Sequence, residues 1–380
     1  MKTFKFVVSG FIIILIVLVS IFVNNKEDKE KYEEVDSSIS YDLFSEYYDE
    51  ADKIVSKMSL KEKVGQLFLV RFNEESVLDE IKSYYPAGYI FFAKDFENET
   101  KSSFSEKIRL YQSKSKNPLV IAVDEEGGIV TRVSRFSNFR YEKFLSPRQI
   151  YDIGGYDLLE KNEEEKAKLL LSLGINLNLA PVADVSVDEN DYIYDRSFGY
   201  DANKTSEYVK KMVEFANEWG ISSSLKHFPG YGSNLDTHTG VAIDNRSYET
   251  FITSDLLPFE SGISANVPTI LFSHNVVNCI DSQYPASLSL KMHNLLRYDL
   301  GFSGVIITDD LAMGAVKDYA DSSSAATLAV NALNDLIITS DFKNMYNEVL
   351  TNIENKKIKK STVNQAVKRV IAWKYAYGLY

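Results

Sequence analysis

The chain has 380 residues, with 42 Lys and Arg against 54 Asp and Glu, for a net charge of −12 at pH 7. Its 45% apolar and 25% charged content excludes a disordered or collagen-like chain, and its acidic balance disfavours nucleic acid, which selects basic surfaces. The single cysteine, Cys279, excludes an intrachain disulfide framework, a cysteine-rich zinc site and an iron–sulfur cluster.

Lys2 and Lys5 precede an uncharged apolar run, residues 6–23. As a helix it measures about 27 Å, close to a hydrocarbon core of roughly 30 Å. Lysines before it and an acidic stretch after it predict a cytoplasmic N-terminus and an exported body. The run outlasts a usual signal-peptide core, and neither an Ala-x-Ala cleavage site nor a lipid-accepting cysteine follows. Residues 1–25 are therefore expected to be an uncleaved signal anchor holding the chain at the cell membrane, with a cleaved signal peptide and a secreted body as the alternative. Residues 26–40 are polar and charged, a linker or stalk.

From residue 41 to 380, β-branched apolar runs alternate with charged stretches of helical period. Buried strands are predicted at 64–71, 88–94, 119–124, 175–185, 222–227, 269–275, 304–309 and 335–339. Helices are predicted between them, among others at 160–173, 206–219 and 290–300, and Ser59-Leu60-Lys61-Glu62 has capping-box spacing. Continuous rather than alternating strand runs imply a parallel sheet covered on both faces. Eight such units predict an α/β fold, a closed (β/α)8 TIM-like barrel in a single catalytic domain, with an open doubly wound sheet as the alternative. No Gly-x-Gly-x-x-Gly or P-loop follows a strand, which leaves a nucleotide-binding open sheet without support. The basic tail, 356–380, carries a wide apolar stripe through Val363, Val367, Val370, Ile371 and Trp373, and is expected to pack as a helix closing the barrel.

Barrel chemistry collects at the C-terminal ends of the strands. The third run ends Asp124-Glu125-Glu126-Gly127-Gly128, with Arg132 shortly after, and the region after the fourth carries Asp195-Arg196-Ser197-Phe198-Gly199. The fifth ends Lys226-His227-Phe228-Pro229-Gly230 and runs on to Asp236-Thr237-His238. The sixth ends Ser273-His274-Asn275 and the seventh Thr308-Asp309-Asp310. Each alone has a structural explanation: a turn or helix N-cap for a strand-end Asp, which is the reading for Asp310, or a satisfied core histidine, the reading for His293. Five strand ends offering acids, bases and imidazoles to one rim point instead to a site.

The chain has no Gly-x-Ser-x-Gly elbow and no cysteine nucleophile motif. A metal held by His227, Asp236, His238 and Asp309 is the weaker reading, because compact ligand spacing is missing and Lys226 would place positive charge beside the cation. What remains is attack by a carboxylate on an acetal, with a second group protonating the leaving oxygen and no cofactor. Residues two apart in extended chain face one side, so Asp236 can orient His238 and raise its basicity. Gly230, Gly232 and Gly240 bracket a loop that could carry His238 over a bound sugar.

These motifs, in this order over about 59–380, resemble glycoside hydrolase family 3, and within it the single-domain β-N-acetylglucosaminidases (β-N-acetylhexosaminidases). The resemblance implies a TIM-like barrel and a retaining mechanism. It implies Asp309 as nucleophile, His238 as acid/base with Asp236 as its partner, and Asp124, Arg132, Arg196, Lys226 and His227 as sugar-binding positions. It implies a substrate with terminal β-linked N-acetylglucosamine, from peptidoglycan fragments or other surface glycans. Family members without the Asp-x-His pair are typically glucosidases that draw their acid/base from a second domain; this chain has the pair. Three departures stand out: Tyr231 replaces the usual His after Lys-His-Phe-Pro-Gly, the stretch from Lys226 to the Asp-x-His pair is one residue shorter, and Asn334-Asp335 stands where Gly-Asp is common. An imidazole acid/base carries no negative charge once deprotonated, so phosphorolysis is an alternative within the enzyme class, as is another β-glycosidase activity of the same family. A catalytically inactive, membrane-tethered glycan-binding protein is the alternative from another class. The oligomeric state does not follow from the sequence.

Overall fold

The computed structural model describes residues 42–233, 242–313, 316, 319 and 324–380. The expected anchor (1–25) and linker (26–40) lie outside the described residues, as do Asp236 and His238. Among the described residues, no helix is long and apolar enough to cross a membrane.

Residues Leu43–Tyr380 form one compact unit. Its centre is a closed, all-parallel barrel of eight strands: β1 (Phe68–Arg71), β2 (Gly88–Phe91), β3 (Val120–Val123), β4 (Leu177–Asn178), β5 (Ser222–Phe228), β6 (Thr269–Phe272), β7 (Val305–Thr308) and β8 (Leu336–Thr339). Each strand pairs with its neighbours in sequence, and β1 closes on β8 through Phe68 opposite Ile337 and Leu69 opposite Ile338. The open-sheet alternative is thereby excluded. Runs such as Val-Ile-Ile-Thr in β7 and Leu-Ile-Ile-Thr in β8 are wholly buried, because barrel strands face side chains inside and helices outside. One additional parallel pair, Ile243–Asp244 with Val276–Val277, lies beyond the ends of β5 and β6.

Two strand boundaries differ from expectation for identifiable reasons. Val64 and Gly65 belong to a helix, Leu60–Gly65, started by a complete capping box between Ser59 and Glu62, and β1 begins only at Phe68. β4 spans two residues rather than the whole of 175–185, since Pro181 has no N–H to give the ladder. Pairing with β5 resumes as one bridge from Val182 to Lys226, where the Ala183 N–H donates to the Lys226 carbonyl at 2.7 Å.

The predicted helices form with shifted ends. Pro147–Ser172 starts on a Ser146–Gln149 capping box and breaks at Gly154 and Gly155, and Ala202–Glu218 is capped by Asp201. The C-terminal helix, Lys360–Ala376, crosses the barrel's N-terminal mouth. Trp373 Nε1 donates to Ser222 Oγ at the start of β5 (2.9 Å), and Lys374 Nζ donates to Gln66 Oε1, Ala87 O and Pro118 O at 2.7–2.9 Å. Burial pushes the Lys374 ammonium down to about 7. That end of the barrel is closed by packing, which leaves the opposite end for chemistry.

His293 is structural, as expected. It sits on the helix Leu290–Asn294, its Nδ1–H donating to Ser289 O at 2.7 Å and its ring 4.4 Å from the Phe272 ring of β6. Burial lowers its pKa from 6.5 to about 4, so the native chain keeps it neutral while the unfolded chain takes up a proton. Stability contributed by the neutral ring is therefore lost as pH falls through that window, by up to about 3 kcal/mol at roughly 1.4 kcal/mol per unit. Urea unfolding of the His293→Phe variant between pH 7 and pH 4 should show a smaller acid-side loss than the unsubstituted protein; parallel losses would contradict this assignment.

Candidate active site

The C-terminal end of β3 delivers three consecutive carboxylates with three different tasks. Asp124 faces the barrel mouth. Glu125 turns back into its own loop, accepting the N–H groups of Arg132 and Val133 at 2.7 Å each and a close hydrogen bond from the Ser134 hydroxyl. This closes a loop that passes Leu145 so tightly that a Cβ on Gly127, at φ +102°, would lie 2.2 Å from the Leu145 carbonyl oxygen. Glu126 reaches across the mouth and binds two cations. It accepts Lys226 Nζ at 2.6 Å and takes the Arg196 guanidinium through both oxygens, at 2.8 and 3.1 Å.

Lys226 and His227 end β5 side by side, joined by a cis peptide bond. Successive strand residues normally face opposite sides, but the register with β6 shifts between Lys226 and Phe228, and both side chains line the same cavity. Lys226 Nζ also lies 2.7 Å from Asp124 Oδ1, while Arg132 approaches Asp124 Oδ2 at 3.5 Å. His227 Nε2 is 3.1 Å from Arg196 and Nδ1 is 2.7 Å from Asp184 Oδ2. A guanidinium has only donors, so Nε2 must accept and the ring proton sits on Nδ1, donating to Asp184. Asp184 also receives the backbone N–H groups of His227 (3.1 Å) and Tyr231 (2.7 Å), locking the turn after β5.

The charges are mutually compensating. Burial pushes the Glu126 carboxyl up, but Arg196 and Lys226 outweigh it and hold the group well below the usual carboxylate range. Asp124 is likewise raised by burial and, on balance, lowered by Lys226 and Arg132. Burial lowers Arg196 and Glu126 raises it further, so it stays a cation.

Asp309 follows β7, its N–H donating to Phe272 O at 3.1 Å. One carboxylate oxygen accepts the Asp310 N–H at 2.8 Å, which fixes the side-chain orientation, and among the described residues Asp309 forms no ion pair with a lysine or arginine. Asp310 has the turn role expected of it: its Oδ1 accepts the N–H groups of Ala312 (2.9 Å) and Ser340 (3.1 Å). His274, a member of the expected strand-end layer, is buried behind this turn, bonded to Ser287 Oγ (2.7 Å) and Asp310 O (3.1 Å).

Asp124, Arg132, Arg196, Lys226, His227 and Asp309 thus line one cavity of about 490 Å³ at the C-terminal mouth. These six are the described members of the sequence-derived site; Asp236 and His238 lie outside the described residues. Sequence reasoning assigned no role to Glu126 or Asp184. Glu126 stands within the Asp124–Gly128 motif, the signal that could have found it, whereas Asp184 is a lone acid in a run read as strand. Among the described residues, no group of three or more His, Cys, Asp or Glu is placed to hold a metal ion.

A parallel eight-stranded barrel with a charged cavity at its C-terminal mouth is the arrangement of an enzyme domain of the TIM-barrel class. Residues 59–373 match the family model "Glycosyl hydrolase family 3 N terminal domain", and the chain belongs to that family. A Beta-hexosaminidase A of Pseudoalteromonas piscicida is 32% identical over 280 residues, 69% of this chain and 47% of its own length. A Beta-hexosaminidase of Nitrosomonas eutropha is 30% identical over 285 residues, 73% of this chain and 80% of its own. The solved structure of a glycoside hydrolase family 3 beta-N-acetylglucosaminidase from Paenibacillus sp. str. FPU-7 matches with a TM-score of 0.79 at 26% identity, covering 85% of this chain and 63% of that one. The chain therefore spans about half the length of the first relative and under two thirds of the Paenibacillus protein.

Removing Glu126 takes away the carboxylate that Lys226 and Arg196 share. Glu126→Ala should destabilise the fold by about 3–5 kcal/mol, the usual cost of breaking a buried ion pair on one side. Denaturant unfolding checks this, and a change under about 1 kcal/mol would contradict the central role given to Glu126.

Proposed function

We propose that the chain is a retaining exo-β-N-acetylglucosaminidase, which removes terminal β-linked N-acetylglucosamine from cell-wall or other surface glycans. The observation that carries this reading is the shared cavity: Asp309, a carboxylate with no Lys or Arg ion pair among the described residues, faces the same space as the compensated set Asp124, Arg132, Arg196, Lys226 and His227. Membership of the family and the names of the relatives support the same choice.

Asp309 attacks the anomeric carbon, and the bond to the leaving oxygen breaks with its electron pair on that oxygen. His238, protonated and held by Asp236, supplies the proton. Neutral His238 then removes a proton from water, whose oxygen displaces Asp309 and releases the sugar with its original anomeric configuration. Lys226, Arg132 and the carboxylate of Asp124 offer both donors and acceptors for sugar hydroxyls. Arg196 and His227, fixed on Glu126 and Asp184, keep their positions while the substrate distorts. The apolar run at 6–23 anchors the enzyme at the cell membrane with the barrel outside.

Two substitutions test this assignment by steady-state kinetics. Asp309→Ala should lower kcat by about 10⁴-fold or more on every substrate, since no nucleophile remains. His238→Ala should cost about 10²–10⁴-fold on a sugar leaving group, and far less on a nitrophenyl leaving group, which departs without protonation. Near-full activity of Asp309→Ala on an aryl N-acetylglucosaminide would refute the reading.

A further inference from the structure

The cavity has a charged floor, Asp124, Arg132, Arg196, Lys226, His227 and Asp309, set among buried apolar barrel side chains such as Ile90, Leu271 and Ile338, and its more exposed lining, the lip, includes Ile129, Tyr192 and Met313. Ile129 is 63% exposed and Tyr192 38% exposed, so both present apolar surface beside a charged pocket.

Tyr192 is held in register with the floor. Its ring lies 5.9 Å from the ring of Tyr231, tilted by 53°. Tyr231 is buried, packs with Val182 and Ile193, and stands edge-on to His227 at 5.1 Å and 89°. Asp184, which orients His227, also accepts the Tyr231 N–H at 2.7 Å. Tyr192 further shares a tightly bonded loop with Arg196. The Asp191 N–H donates to Asp188 O, the Tyr194 N–H to Asp191 O and the Arg196 N–H to Ile193 O, while Ser186 Oγ donates to Asp191 at 2.8 Å. One exposed aromatic face is therefore indexed, through two rigid connections, to the groups lining the floor.

A β-linked pyranose has polar edges and a face of axial C–H groups, and an aromatic ring suits that face. On the proposed glycosidase reading, on which this inference rests, the charged floor takes the sugar that is attacked, and the lip meets what is attached to it. We propose that Tyr192 is the stacking platform for the leaving-group sugar, a specificity residue that makes the site prefer a glycan, with a pyranose on the departing side, over a glycoside with a small aglycone.

The test compares kcat/KM for N,N′-diacetylchitobiose and for methyl β-N-acetylglucosaminide, in the unsubstituted full chain, Y192A and Y192F. The ratio of disaccharide to methyl glycoside should fall about tenfold in Y192A, as for loss of one aromatic stack, and stay within about twofold of the unsubstituted ratio in Y192F, which keeps the ring. Equal losses on both substrates, or a ratio in Y192F as low as in Y192A, would overturn the platform while leaving the glycosidase reading intact. An unsubstituted protein that cleaves neither substrate would refute that reading, and the platform with it.

Discussion

Two cations at the mouth of the barrel, the buried Lys226 and the partly buried Arg196, arrive from different strand ends and would repel each other without a shared counter-charge. Glu126 supplies it from a third strand end, through 2.6–3.1 Å contacts to both. In a low-dielectric setting such a bridge is strong only if its geometry is complete, and here each partner has a second acceptor: Asp124 for Lys226, His227 for Arg196. The network fixes the His227 tautomer through Arg196 on one side and Asp184 on the other. Asp309 lines the same cavity, and among the described residues it forms no ion pair with a lysine or arginine.

The two ends of the barrel divide stability from chemistry. At the N-terminal end, Trp373 and Lys374 are absorbed into hydrogen bonds with residues at or near the strand starts. At the C-terminal end, charged groups face a cavity. This separation follows from a parallel barrel, in which all strands point their loops the same way. The added strand pair Ile243–Asp244 with Val276–Val277 extends that side beyond β5 and β6. Arg246 reinforces it by binding Asp244, Asp255 and the Gly230 carbonyl at once. Gly230, at φ +120°, permits the approach, since a Cβ there would lie 2.7 Å from Asp255 Oδ1.

The fold was legible in the sequence because doubly buried strands leave continuous apolar runs, and each predicted run overlaps a barrel strand. The boundaries were less so. The helix Leu60–Gly65 claimed Val64, whose β-branched side chain suggested strand, and Pro181 stopped β4 inside a run that composition alone would extend. For the site, charged residues just past a strand end marked themselves, and Asp124, Arg132, Arg196, Lys226, His227 and Asp309 meet in one cavity. Asp184 was not legible, since nothing local in Val182-Ala183-Asp184-Val185 announces a partner 43 positions away on His227. Glu126 was visible as a carboxylate, but its task depends on Arg196, 70 positions on, and only the closed barrel brings the two together. Tyr192 had no sequence signal at all; its meaning comes from the ring of Tyr231 behind it.

The claim on which the functional account turns is that one carboxylate after β7 becomes covalently attached to the sugar. The direct measurement is to trap that intermediate with a fluorinated N-acetylglucosaminyl donor, which loads the enzyme faster than water unloads it, and to locate the added mass by peptide mass spectrometry. A single glycosyl adduct on the Asp309 side chain is predicted. An adduct on Asp124, Glu126 or any other residue, or steady turnover of the donor without any adduct, would contradict the account.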